Sequence, residues 1–170
     1  YFRPVMYAPD FGNELFDDDR LVIDVIVEAV MRMRAGGGSQ VFIVNLSLGD
    51  QTRPFAGKIS TWGRALDHLS YSYGILFLVS AGNVGEPIAV GGYDNEAAFH
   101  AAPPLDRNQA VLRSLDNLKA DRRLLAPADS LNALTIGAWH HDAVTVPFTG
   151  ASPFMPYVDQ EMPNLSSRLG

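Results

Sequence analysis

Residues 74–85 read Gly74-Ile-Leu-Phe-Leu-Val-Ser-Ala-Gly-Asn83-Val-Gly85, a short apolar run that breaks abruptly into small residues and one amide. Such a run is too short for a buried helix and reads as a buried strand feeding a loop. A second junction of the same kind lies upstream, where Val41-Phe-Ile-Val-Asn-Leu-Ser-Leu-Gly49 passes from β-branched and aromatic residues into Ser47-Leu48-Gly49. Between them, Gly57 to Ser72 carries Ile59, Trp62, Leu66 and Leu69 at helical spacing, with Ser60 or Thr61 as N-cap. Strand, helix and strand at these lengths imply a parallel pair joined by a right-handed crossover. Uninterrupted apolar strands are those of a sheet covered on both faces. In open α/β sheets, ligands bind where the carboxyl ends of parallel strands meet their loops, so the two junctions predict one shared cleft.

The rest of the chain extends this pattern. Tyr1 to Ala8 alternates weakly and reads as an edge strand, followed by loop at Pro9 to Asn13. Leu21 to Met33 places Leu21, Val22, Val25, Ile26, Ala29, Val30 and Met33 on one helical face, with Asp17-Asp18-Asp19 at its start and Gly36-Gly-Gly38 after its end. Gly, Pro and Ala dominate Gly85 to Pro104, which predicts a long loop, and Asn108 to Leu125 predicts a helix ended by Pro127. Leu131-Asn-Ala-Leu-Thr-Ile-Gly-Ala138 reads as a third buried strand. Beyond it, Pro147, Pro153, Pro156 and Pro163 mark irregular chain. The fold class is therefore α/β: three layers, with a mostly parallel sheet and helices on both faces, in one domain over residues 1–170.

Composition removes several function classes. A net charge of −6, with basic residues scattered except for Arg122-Arg123, gives no footprint for nucleic acid. No run approaches the ~18 apolar residues of a membrane span. Without cysteine there is no disulfide, thiol nucleophile or Cys-based zinc site, and the compartment stays open. No GxGxxG or GxxxxGK[ST] pattern supports nucleotide binding.

The histidines propose no catalytic dyad. Asp67 and His68 are helix neighbours that do not face each other, and His100 stands alone in an Ala-rich stretch. His140-His141-Asp142 follows a strand, where successive side chains diverge, so no metal site is assigned. Asp17-Asp18-Asp19 offers oxygens of the kind calcium takes, but without the alternating ligand spacing of a calcium loop. It reads as a helix-dipole partner, and no cofactor is called for.

Three ordered blocks, Asn45-Leu-Ser-Leu-Gly49, Val79-Ser-Ala-Gly-Asn83-Val-Gly85 and Asn132-Ala-Leu-Thr-Ile-Gly-Ala138, resemble the subtilisin-like serine peptidases. A weaker fourth, Asn164-Leu-Ser-Ser-Arg-Leu-Gly170, is similar to that family's Phe-Ser-Ser-x-Gly. The resemblance implies that Asn83 is the oxyanion-hole amide and that Ser47, Leu48 and Gly49 pair with an extended peptide substrate. It also implies that Ala81 and Gly82 line the primary specificity pocket. The loop at Asn13 to Phe16 would offer the opposing edge. Taken alone, an asparagine in Ala-Gly-Asn-Val-Gly caps its own loop as an Asx-turn, and the glycines serve tight turns.

The family's Asp block, its His-Gly-Thr-His-like helix start and its Gly-Thr-Ser-x-Ala helix start are missing. In family order these lie before the region matching Tyr1 and after the region matching Gly170. The expectation is a central piece of a serine endopeptidase, inactive in isolation and exposing core surface through which copies associate. The alternative is a non-catalytic peptide-binding or scaffold domain of the same descent.

Overall fold

The computed structural model describes residues 19–140, 156–157 and 161–169. The expected strand at Tyr1 to Ala8, the loop at Asn13 to Phe16, Asp17, Asp18, His141, Asp142, Pro147 and Pro153 lie outside these residues. In chain order the elements are α1 (Val22–Ala35), β1 (Ile43–Leu46), β2 (Asp50–Pro54), α2 (Thr61–Tyr73), β3 (Leu76–Ser80), α3 (Glu96–Ala101), α4 (Pro104–Asn117), β4 (Leu125–Ala126), β5 (Leu134–Ile136), β6 (Trp139–His140) and β7 (Met162–Pro163). They fall into two compact units. The first comprises the described residues up to Ser80 with Ala126–Thr135, and the second Ala81–Leu125 with the described residues from Ile136 onward.

The first unit is built on a three-stranded sheet of order β1-β3-β5. β1 and β3 pair in parallel, with Ile43 opposite Leu76 and Leu46 opposite Val79. Together with helices α1 and α2 this is the α/β architecture expected. The pleat sends alternate side chains to opposite faces, and Phe77 and Val79 are fully buried on one of them. Each such side chain contributes about 2 kcal/mol on burial. On the other face Ile43 and Leu76, which share a register position, stay 59% and 40% exposed. Leu78, on the same face as Leu76, is half-buried.

Helix α2 starts where the sequence places it. Ser60 is extended, and its hydroxyl accepts the Gly63 N–H at 2.9 Å. Asp129 accepts from both the backbone N–H and the hydroxyl of Ser60. The helix ends at Gly74, whose left-handed φ of 62° lets its N–H reach the Ser70 carbonyl. Trp62, Leu66 and Leu69 form the buried stripe. Asp67 faces the loop before β5: its Oδ1 accepts from the Ser130 hydroxyl at 2.6 Å and from the Asn132 N–H at 2.7 Å. Its neighbour His68 is exposed, with Nε2 3.5 Å from the Ser72 hydroxyl. Strand β2, Asp-Gln-Thr-Arg-Pro, lacks the apolar alternation that marks a strand in sequence and is largely exposed.

In the second unit the expected long loop contains α3. Asn95 caps this turn by accepting the Ala98 N–H at 2.9 Å, and Phe99 anchors it in a cluster with Val111, Leu115 and Tyr157. Tyr93 meets Phe99 edge to face at 5.1 Å, and the Arg107 guanidinium lies over the same ring at 4.9 Å. His100 belongs to this helix, its Nε2 3.5 Å from the Glu96 carboxylate. The helix expected at Asn108 to Leu125 begins earlier, because Pro104 fits a first helical position. It also ends earlier, at Asn117. The chain beyond is drawn into extended pairing, with Arg123 bridged to Leu169 and the Leu169 N–H donating to the Arg122 carbonyl at 2.7 Å. The third strand shortens to Leu134–Ile136.

Asp67→Ala should remove two charge-assisted hydrogen bonds to Ser130 and Asn132 and lower stability by about 2 kcal/mol, read from denaturant unfolding. An unchanged midpoint would show that the loop holds without it.

Candidate active site

Segment Ala81–Val84 continues directly from β3 and is braced on both sides within the second unit. On one side the Ala81 N–H donates to the Ile136 carbonyl at 2.9 Å, and the Leu125 N–H donates to the Ala81 carbonyl at 3.2 Å. On the other side runs Ser166–Arg168. The Arg168 N–H reaches the Gly82 carbonyl at 3.1 Å, and the Val84 N–H reaches the Ser166 carbonyl at 2.8 Å. Asn83 and Ser167 form an antiparallel bridge. The Ser167 hydroxyl, itself buried, accepts the Ala138 N–H at 3.2 Å and so fixes that stretch to the chain after β5.

Asn83 is exposed, and its side-chain amide has no hydrogen-bond partner among the described residues. Two other asparagines in the same unit show what local capping looks like: Asn95 caps α3, and Asn164 accepts from the N–H and hydroxyl of Ser166 at 2.9 and 2.6 Å. Asn83 makes no such turn. Its backbone carbonyl instead accepts from Arg168 Nε at 3.1 Å, while Arg168 Nη1 donates to the carbonyls of Asp121 and Arg123 at 3.3 and 3.1 Å. A full positive charge thus sits beneath the loop that carries the amide, a setting that favours negative charge nearby.

Ala81 and Gly82 are both buried. Gly82 has φ of 99°, and a Cβ placed there would lie 2.7 Å from Leu125 Cδ1 and 3.0 Å from Arg168 Cδ. Both its conformation and its close contacts call for glycine. In the first unit, Ser47, Leu48 and Gly49 follow the carboxyl end of β1, the strand paired with β3. Ser47 and Gly49 are exposed and Leu48 half-buried, and the Ser47 hydroxyl is tied to the Asn45 side chain at 3.2 Å.

Sequence reading missed two residues of this region. Arg168 lies in the weakest of the four blocks, and its long reach across Asn83, Asp121 and Arg123 has no signature in spacing. Leu125 was assigned to a helix end, yet it packs on Gly82. Arg122 is buried, its guanidinium donating to the Leu165 carbonyl, and desolvation followed by the nearby Arg168 charge lowers its pKa. Among the described residues no group of three or more His, Asp or Glu side chains is placed to hold a metal ion. His140 is half-buried with its ring 5.5 Å from that of Tyr157. No helix among the described residues is long and apolar enough to cross a membrane.

A parallel α/β sheet whose strand ends lead into Ser-Leu-Gly and Ala-Gly-Asn loops defines the class of scaffold. The chain matches the model of the subtilase family, peptidase S8, over residues 6–167, and it belongs to that family. It is also 32% identical over 146 residues to the uncharacterized protein y4bN of Sinorhizobium fredii (strain NBRC 101917 / NGR234), an alignment that covers 84% of this chain and 30% of that protein. The chain therefore spans about 30% of the length of this curated relative. No solved structure gives a significant match.

Gly82→Ala should cost about 2 kcal/mol or more, because the new methyl meets Leu125 and Arg168 in a left-handed backbone; a denaturant midpoint equal to wild type would contradict this packing. Burial raises the Tyr157 phenol to about 12, against a weaker opposing pull from Arg122. Between its ordinary value of 10.0 and about 12 the folded state holds a proton that the unfolded chain releases, so this contribution to stability is lost as pH rises through that window. An absorbance titration should show a phenolate component near pH 12 that disappears in Tyr157→Phe.

Proposed function

We propose that residues 1–170 are the central part of a serine endopeptidase catalytic domain in which Asn83 supplies the amide that receives the oxyanion. The observation that carries this reading is the exposed, unengaged amide of Asn83 on a backbone braced by Ser166–Arg168, in a chain of the subtilase family. Attack on a peptide carbonyl moves negative charge onto its oxygen. A donor already in position stabilises that charge by roughly 3 kcal/mol without reorganising, a magnitude taken from subtilisin's own oxyanion asparagine.

Ser47, Leu48 and Gly49 are the edge on which an extended protein substrate pairs by backbone hydrogen bonds, and Ala81 and Gly82 border the side chain of the residue before the scissile bond. In the complete enzyme a serine attacks through an acyl-enzyme, with a histidine as base oriented by an aspartate. The chain by itself has none of the motifs that supply this triad and is inactive alone.

Replacing Asn83 with Ala in the full-length protein should lower turnover about a hundredfold or more, with unfolding unchanged. Wild-type turnover in that variant would take Asn83 out of the mechanism. The absence of triad motifs from the sequence favours one second reading, a non-catalytic peptide-binding or scaffold domain of subtilase descent. Reading the parent gene outward separates the two: Asp and His-Gly-Thr motifs upstream with Gly-Thr-Ser downstream establish the peptidase, and substituted triad positions establish the scaffold. The apolar surface at Ile43 and Leu76 also supports self-association of the isolated chain. Light scattering should show mass rising with concentration, whereas a monomer throughout would remove that part of the reading.

A further inference from the structure

In the second unit, residues 87–91, Pro-Ile-Ala-Val-Gly, alternate in burial: Ile88 and Val90 are half-buried, while Pro87, Ala89 and Gly91 are exposed. This is the pattern of extended chain, in which successive side chains point to opposite sides. Ile88 and Val90 pack on the cluster of Phe99, Val111, Leu115 and Tyr157. Pro87, Ala89 and Gly91 form one wall of a groove of about 520 Å³, within the size range of ligand sites. Helix α4 forms the other wall. Its Val111 and Leu115 enter the core cluster, and the neighbouring stripe of Ala110, Ser114 and Leu118 lines the groove. Both walls are therefore fixed by one core, and the small side chains between them leave space. A Cβ placed on Gly91 would meet nothing within 4 Å.

Two properties of the groove define its occupant. The first is unpaired backbone: among the described residues, no hydrogen bond reaches the peptide groups of residues 87–91. An extended segment with free N–H and C=O groups is a template for one more strand. The second is charge. Arg113 stands on the rim beside Asn117, exposed and without an ion pair among the described residues, whereas Asp116 on the same helix is taken by Lys119 at 2.8 Å. A small anion would use this cation and leave the row of peptide groups unused. From Pro87 to Gly91 extended chain covers about 13 Å, and from Ala110 to Leu118 a helix covers about 12 Å. The two walls thus match in length, over about four residues of an added strand.

We propose that this groove binds an extended acidic peptide, added as a strand along residues 87–91 with an Asp or Glu side chain paired to Arg113. Backbone pairing supplies the affinity, and the guanidinium supplies the preference for a carboxylate. None of these residues takes part in the oxyanion or substrate-edge roles proposed above.

The test uses the full-length protein, with any catalytic serine blocked by a sulfonyl fluoride. The probe is the peptide Thr-Val-Glu-Val-Thr, carrying a fluorophore at its N-terminus and an amide at its C-terminus, with dissociation constants read by polarisation. Wild type should bind it saturably, and about tenfold more tightly than the same peptide with Gln for Glu. Arg113→Gln, a change at an exposed side chain, should leave unfolding unchanged and bring the two peptides to the same affinity. Gly91→Leu, whose added Cβ has open space before it, should fold as wild type and abolish binding. N-methylation of alternate peptide amides should weaken binding at least about tenfold for one set and little for the other, because a strand turns alternate N–H groups to each edge. Absence of saturable binding by wild type would overturn the proposal. So would a Glu preference that survives Arg113→Gln, or an equal response to methylation of either set. Displacement of the peptide by acetate at equal concentration would reduce the groove to an anion pocket and overturn it as well.

Discussion

The second unit depends on the pairing of Gly82–Val84 with Ser166–Arg168, which fixes the backbone on either side of the Asn83 amide. The backbone bonds from Arg168 to Gly82 and from Val84 to Ser166 hold the two peptide units on either side of Asn83. Arg168 then adds a third contact, from its guanidinium to the carbonyl of Asn83 itself. The rest of the second unit is arranged around this pairing. Ser167 ties it to the chain after β5, Arg122 ties it to Leu165, and the bridge between Arg123 and Leu169 terminates the run that would otherwise continue as helix from α4. A loop of small residues is thus held like a strand.

The same pairing sets the electrostatics. Two guanidinium groups, Arg122 and Arg168, stand close enough for the charge of one to lower the pKa of the other. Each is satisfied largely by backbone carbonyls rather than by carboxylates. Carbonyl partners disperse a cation without neutralising it, and the Glu86 carboxylate partly offsets the repulsion that Arg122 meets from Arg168. The first unit follows a different logic. There, carboxylates of α2 and of the following chain, Asp67 and Asp129, accept from hydroxyls and backbone N–H groups and hold the 129–132 loop against the helix.

Much of the fold was legible because local signals agreed with tertiary demand. Ser60 caps α2 where a cap was expected, and Trp62, Leu66 and Leu69 form the buried stripe their spacing predicts. The signals failed where long-range pairing overrode propensity. Leu118 to Leu125 contains good helix formers, yet it leaves the helix because Arg122 and Arg123 pair with the chain at Leu165 to Leu169. α3 was hidden in a Gly- and Pro-rich stretch because its stability comes from one cap at Asn95 and one buried ring at Phe99, too little pattern to register as a period. Within these apolar strands Ile43 and Leu76 keep much of their surface exposed, since apolarity along a strand does not specify how fully each residue is covered.

By itself the sequence determined the α/β class, the strand–helix–strand crossover and the order of four short blocks, and with them the family. These depend on hydrophobic periodicity and turn chemistry, which act between residues near one another in the chain. It also singled out Asn83. Only the tertiary structure decided that the amide of Asn83 is left unengaged among the described residues while its backbone is fixed, and that Leu125 and Arg168 occupy the space beside Gly82. Those facts depend on contacts between residues some forty to eighty-five positions apart, and no local pattern encodes which distant side chain will arrive at a given glycine.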